Sequence, residues 1–173
     1  GRVMQITEKL MSRLIRPDMK GSPSPDLAVS WSANSQATEW TLKLRNGVKF
    51  HDGSAFDSGD VIYTFNRVLN PENKSPARSA IKMIEKMEAP DKSTVTFKLS
   101  TPFADLPLQL MDYRLRIIPE GSGDGIAASG IGTGPFKLVK FDAAGTTKLE
   151  ANMDYWEGAP GVANMEIIGI GDG

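Results

Sequence analysis

Residues 39–45 alternate apolar and polar positions: Trp40, Leu42 and Leu44 fall on one side, Thr41, Lys43 and Arg45 on the other. A period of two predicts a half-buried antiparallel strand. Asn46-Gly47 signals a turn, Val48 and Phe50 resume the alternation, and His51-Asp52-Gly53 reads as a second turn. Val95, Phe97 and Leu99 alternate with Thr94, Thr96 and Lys98 as another strand. Helical spacing marks three further stretches. Val3, Met4, Ile6, Leu10, Met11, Leu14 and Ile15 predict an amphipathic helix over residues 3–15, stopped by Pro17, with its methionines read as core. Asp57 reads as the N-cap of a helix over residues 58–69 that buries Val61, Ile62, Phe65, Val68 and Leu69. Asp60 lies in its first turn, where the helix dipole favours an anion, and Asn70-Pro71 ends it. Ser75-Pro76 starts a third helix, with Ala77, Ile81, Ile84 and Met87 on one stripe.

A short helix distorted by Pro107 is expected over residues 101–111, then a short apolar strand at 115–118. Strand-like segments follow at 136–141, 147–150 and 165–170, with a Tyr155-Trp156 pair among them. Residues 21–26, GSPSPD, form a loop, and the glycine-rich residues 121–134 are the best domain boundary in the chain. The sum is an α+β fold, with mixed or antiparallel sheets and interspersed helices rather than repeating βαβ units.

A chain of 173 residues suffices for one domain or one and a half. Its 20 basic and 21 acidic residues give a net charge of −1 without a basic run, which argues against nucleic acid as a partner. With no cysteine, disulfides, thiolate catalysis and thiolate metal sites are excluded. No window approaches the roughly 20 apolar residues of a membrane helix. No secretory signal is present either, and the start at Gly1 inside a helical pattern fits removal of an upstream segment.

His51, the one histidine, has Asp52, Asp57 and Asp60 near it in sequence but no second ligand at helical or hairpin spacing. It is read as part of a turn that Asp52 closes by accepting backbone amides. The glycine-rich runs lack both the dinucleotide-loop spacing and the lysine of a phosphate loop, and no G-x-S-x-G elbow occurs. Glu85 and Glu88 are read as solvated groups on a helix face. No metal site and no enzyme chemistry is expected. Asp112-Tyr113-Arg114 stands out as a charged and aromatic triplet next to the glycine-rich boundary. Ligands favour interdomain clefts, and Arg with Tyr suits a carboxylate or a peptide. An exposed approach to a strand is the plainer reading, and the residues alone leave both open.

Several stretches together resemble the family 5 extracellular solute-binding proteins, which include periplasmic oligopeptide-, dipeptide- and nickel-binding proteins. They are PDLAVSW at residues 25–31, WTLKLR at 40–45, GVKFHDG at 47–53, and Asp60-Val61 through Arg67. Further on come Asp91 through Leu99 with Pro102-Phe103, Ile118-Pro119, GTGPF at 132–136 and Asp154-Tyr155-Trp156. Residues 54–59, SAFDSG, depart from the family's threonine-proline pair, and the helix cap there becomes Asp57. The resemblance implies a periplasmic-binding-protein-like type II (class C) lobe fragment without the second lobe. Residues 1–26 and 129–173 would belong to the larger domain of the first lobe, and 27–128 to a small α+β domain inserted in it. It implies the solute-binding component of an ABC importer, located in the periplasm or otherwise outside the cytoplasm. That component captures peptides or similar small solutes for permease subunits, and a sensor or chaperone-like protein on the same fold is the alternative. It implies no cofactor and no catalysis, and membrane contact only through the permease or a lost lipid anchor. Asp112, Tyr113 and Arg114, with the backbone near Thr133 and Gly134, would face the ligand.

Overall fold

The computed structural model describes residues 2–142 and 144–168, with the side chains of residues 2–5 excepted. The backbone divides into two compact units. One takes in the described residues of Gly1–Ser12, Gly47–Phe56 and Gly121–Gly173; the other takes in Arg13–Asn46 and Asp57–Glu120. These limits differ from the expected ones at 26/27 and 128/129, and residues 47–56 cluster with the chain ends rather than with the strand that precedes them.

The first unit is built on α1 (Arg2–Leu10) and an antiparallel sheet, β7 (Phe136–Lys140), β8 (Thr146–Ala151) and β9 (Asn164–Ile168), in the order β7-β8-β9. Ile6 and Leu10 of α1 bury against Phe136, Leu149 and Ile167. All three strands were expected. The side chains of Val3 and Met4 in the predicted stripe, and Ile170 at the end of the last predicted strand, lie outside the described residues. The helix stops at Leu10, well before Pro17. From Arg13 onward other bonds hold the backbone: Arg13 N–H donates to Asp26 Oδ2 at 3.1 Å, and Ile15 pairs with Pro25. Val48 and Phe50 are buried as expected, but they form no hairpin with the preceding strand. Only a bridge between Lys49 and Ala55 remains, with Phe50 and Phe56 edge to face at 6.2 Å.

In the second unit, β1 (Ile15–Pro17) and β2 (Pro23–Pro25) form a short ribbon inside what reads as a loop. A four-stranded antiparallel sheet runs in the order β3-β4-β6-β5, with β3 (Ala28–Ala33), β4 (Glu39–Leu44), β5 (Ile84–Asp91) and β6 (Thr94–Leu99). Trp40, Leu42 and Leu44 are buried, as their alternation predicts. Helix α2 (Ser58–Leu69) has the expected ends. Asp57 Oδ1 accepts from Gly59 N–H, and Asp60 Oδ2 accepts in return from Asp57 N–H, a closed capping box. Its Phe65 stacks on Phe97 of β6 with ring centroids 5.2 Å apart.

Three expectations fail here. Helix α3 is confined to Arg78–Ile81, and residues 84–91 are a strand. Ile84 pairs with Leu99 and Met87 with Phe97, with a bulge between Ile84 and Lys86. The bulge adds one residue, so two side chains three apart share one face of a strand and imitate helical spacing. Glu88 consequently lies on a sheet, beside Lys86 at 3.2 Å and Lys98 at 3.3 Å. Helix α4 spans only Leu106–Leu110, with Pro107 in the first turn, where its missing N–H distorts nothing. Residues 115–117 are buried and Ile118 half-buried, but the segment forms no strand.

Asp57→Ala should lower unfolding free energy by about 1 kcal/mol, and Phe97→Ala by about 3–5 kcal/mol, in urea melts followed by tryptophan fluorescence. Equal effects would contradict the view that the stacked ring, not the cap, carries the core.

Candidate functional site

Asp112, Tyr113 and Arg114 follow the last turn of α4. Asp112 N–H donates to Gln109 O at 3.1 Å and Leu115 N–H donates to Asp112 O at 3.0 Å. Leu110 and Leu115 on either side are each 1% exposed, so burial of the flanks forces the turn between them outward. Tyr113 presents its ring to solvent at 50% exposure, while Arg116 Nε holds its carbonyl oxygen at 2.7 Å.

The two charged members of the triplet engage each other. Arg114 Nε donates to Asp112 Oδ1 at 2.9 Å and Nη2 to Oδ2 at 2.6 Å, a two-pronged pair. The guanidinium holds the Asp112 carboxyl below the usual carboxylate range. Arg114 Nη1 donates to Pro76 O at 2.9 Å, and the guanidinium lies 5.8 Å from the Tyr113 ring centre. The strand expected after this triplet is absent, so the segment is a braced loop.

Beside it is an open depression of about 390 Å³ lined by Arg13, Leu108, Gln109, Met111, Asp112 and Tyr113. Four of these residues escape sequence reasoning. Leu108, Gln109 and Met111 belong to the predicted helix, and nothing in their local pattern marks them. Arg13 comes from 98 positions earlier, where its Nη1 donates to Met111 O at 2.6 Å. No sequence signal announces that pairing.

Thr133 and Gly134 belong to the other unit. Gly134 N–H donates to Leu10 O at 2.9 Å, and a Cβ at Gly134 would lie 2.5 Å from Lys9 O. Only glycine allows backbone to approach backbone this closely. The Gly134 carbonyl accepts from Asn152 Nδ2 at 3.0 Å and bonds His51 Nε2 at 3.0 Å. His51 Nδ1 accepts from Gly132 N–H at 3.2 Å, which makes the ring neutral with its proton on Nε2. Thr133 is 1% exposed, and its Oγ1 has no hydrogen-bond partner among the described residues. The turn at His51-Asp52-Gly53 forms as expected, with Asp52 Oδ1 accepting from Ser54 N–H and Ser54 Oγ–H. His51 therefore does more than close a turn: it clamps residues 132–134 by both ring nitrogens.

Burial pulls the His51 pKa below its ordinary value, outweighing the pull of the Gly134 carbonyl in the other direction. Above about pH 6.5 the imidazole is neutral folded or unfolded. As pH falls through that value the unfolded chain takes up the proton first, so stability is lost by at most about 1.4 kcal/mol per pH unit. Urea melts between about pH 7.5 and 5.5 should show this loss for the native chain and a flat, lower stability for His51→Gln. A parallel decline in both proteins would remove His51 from the account.

Among the described residues, no helix is long and apolar enough to cross a membrane. The solved structure of the PBP AgaA from A. tumefaciens R10, in complex with agropinic acid, superposes with a TM-score of 0.91 at 29% identity. The match covers 99% of this chain and 36% of that one. Di/tripeptide-binding protein 2 of Pseudomonas aeruginosa is 30% identical over 169 residues, covering 83% of this chain and 32% of its own length. Glutathione-binding protein GsiB of Pectobacterium atrosepticum is 36% identical over 135 residues, 76% of this chain and 26% of its own. The chain thus spans about a third or less of the length of these relatives. Residues 22–172 match the bacterial extracellular solute-binding proteins, family 5, and the chain belongs to that family.

Proposed function

We propose that the protein is a solute-binding component of an ABC importer, acting outside the cytoplasmic membrane, and that this chain forms part of its first lobe. The observation that carries the reading is the family match over residues 22–172. Relatives named for dipeptides, tripeptides and glutathione support a peptide-like solute. In class C terms, the unit of residues 13–46 and 57–120 corresponds to the inserted domain, and the unit containing α1 and the β7-β8-β9 sheet to the larger one. Delivery to a permease needs no covalent step. A ligand that binds the closed form more tightly than the open one shifts the population toward closure.

The ligand-facing wall is the triplet Asp112, Tyr113 and Arg114 of the second unit. An exposed aromatic ring on a braced backbone is a rigid contact that loses little freedom on binding. Calorimetric titration of the full-length protein with di- and tripeptides should show saturable binding. Tyr113→Ala should weaken it about tenfold or more, as loss of a central aromatic contact does, with the melting temperature unchanged. Absence of binding to any peptide would reject the substrate class, and unchanged affinity in Tyr113→Ala would reject the wall.

A further inference from the structure

Residues 130–135 lie in no helix or strand, so no ladder holds residues 132–134 in place. One residue supplies three of their bonds. His51 N–H donates to Gly132 O at 2.9 Å, Nδ1 accepts from Gly132 N–H at 3.2 Å, and Nε2–H donates to Gly134 O at 3.0 Å. Gly134 N–H on Leu10 O and Asn152 Nδ2 on Gly134 O add to them. All of these residues belong to the first unit.

Two features work against the closed loop. Thr133 is 1% exposed and its Oγ1 has no partner among the described residues, a hydroxyl that water would satisfy if the loop moved out. Gly132 and Gly134 give up more backbone freedom on ordering than any other residue type would. The loop therefore depends on the His51 bonds to stay down.

The acceptor at Nδ1 is the sensitive element. Nε2 already carries its proton for Gly134, so a second proton can go only to Nδ1. There it turns an acceptor into a donor facing the Gly132 N–H, and an attraction becomes a repulsion. The charged groups around the ring divide. Asp52, in the same turn, favours the imidazolium, but its Oδ1 is engaged by Ser54. Lys137 of β7 opposes it. Burial, with Lys137, outweighs the Gly134 carbonyl and Asp52 and keeps the closed ring neutral to a lower pH than a free imidazole. Once the loop is free, the ring regains water and its ordinary value near 6.5. Acid therefore favours the free loop. From about pH 6.5 downward its population rises by up to about tenfold per pH unit, until the closed ring itself takes the proton.

We infer that His51 is an acid-operated latch: a proton on Nδ1 releases residues 132–134 and carries Thr133 to solvent, while α1 and the β7-β8-β9 sheet stay folded.

Hydrogen exchange in the ¹⁵N-labelled 173-residue chain tests it, with rates corrected for the intrinsic pH dependence of exchange. The amides of His51, Gly132 and Gly134 should be less protected than those at the centre of β8. Their protection should fall by up to about tenfold between about pH 7.5 and 5.5. It should stay unchanged in dilute urea, the mark of a local opening, whereas the β8 amides should lose protection with urea as global unfolding requires. His51→Gln should leave Gly132 and Gly134 poorly protected at both pH values. Thr133→Val should raise their protection at both and leave the size of the pH response intact, since the titrating proton is the same. Protection of Gly132 and Gly134 that is independent of pH in the native chain overturns the latch. So does loop exchange that matches β8 in protection and in urea response, because the loop then opens only with the whole unit. Lower protection in Thr133→Val overturns the part given to its hydroxyl.

Discussion

The close approach of residues 132–134 to the last turn of α1 is the constraint on which the first unit depends. A helix end leaves carbonyl groups unpaired, and here the Leu10 carbonyl is satisfied by Gly134 N–H. The approach is close enough that a Cβ at Gly132 or Gly134 would press into the backbone of the helix. The His51 ring then fixes the same loop from the other direction, accepting from Gly132 and donating to Gly134. With the loop set, Pro135 and Phe136 lead into β7, and Phe136 meets Ile6, Leu10, Leu149 and Ile167. Three stretches distant in sequence, α1, residues 132–134 and His51, meet there.

The second unit rests on a different principle, the packing of one helix on one sheet. Phe65 and Phe97 stack, and the capping box at Asp57 sets where α2 begins. Asp60 serves the box and also accepts from Glu120 N–H at 2.8 Å, so one buried carboxylate ties the helix start to the end of the segment that follows the triplet. Thr64 adds a second tie, its Oγ1 accepting from Ile118 N–H. Tyr113 and Arg114 are exposed while the buried Leu110, Leu115 and Ile117 anchor the flanks.

Features with a short-range cause were legible. The N-cap at Asp57 and the alternation of Trp40, Leu42 and Leu44 each follow from neighbours within a few residues. So does the turn closed by Asp52. Features with a long-range cause were not. Ile84 and Met87 carry helical spacing, and a bulge against Leu99 and Phe97 makes them strand. The helix read through Ile15 ends at Leu10, because Arg13 and Ile15 find partners at Asp26 and Pro25. The candidate site divides the same way. Tyr113 could be picked out as an exposed aromatic between charges, whereas the commitment of Arg114 to Pro76 and the arrival of Arg13 at Met111 join segments 38 and 98 residues apart.

The sequence by itself determined the α+β class, the capped helix, two strands of the central sheet and, through the order of its motifs, the family. Local sterics and side-chain periodicity act within a few residues and need no partner. Tertiary structure alone decided that residues 47–56 cluster with the chain ends, that His51 clamps a glycine loop, and which guanidinium lines the depression. Each of those rests on a hydrogen bond or a burial between distant segments, and such a partner exists only once the chain has folded.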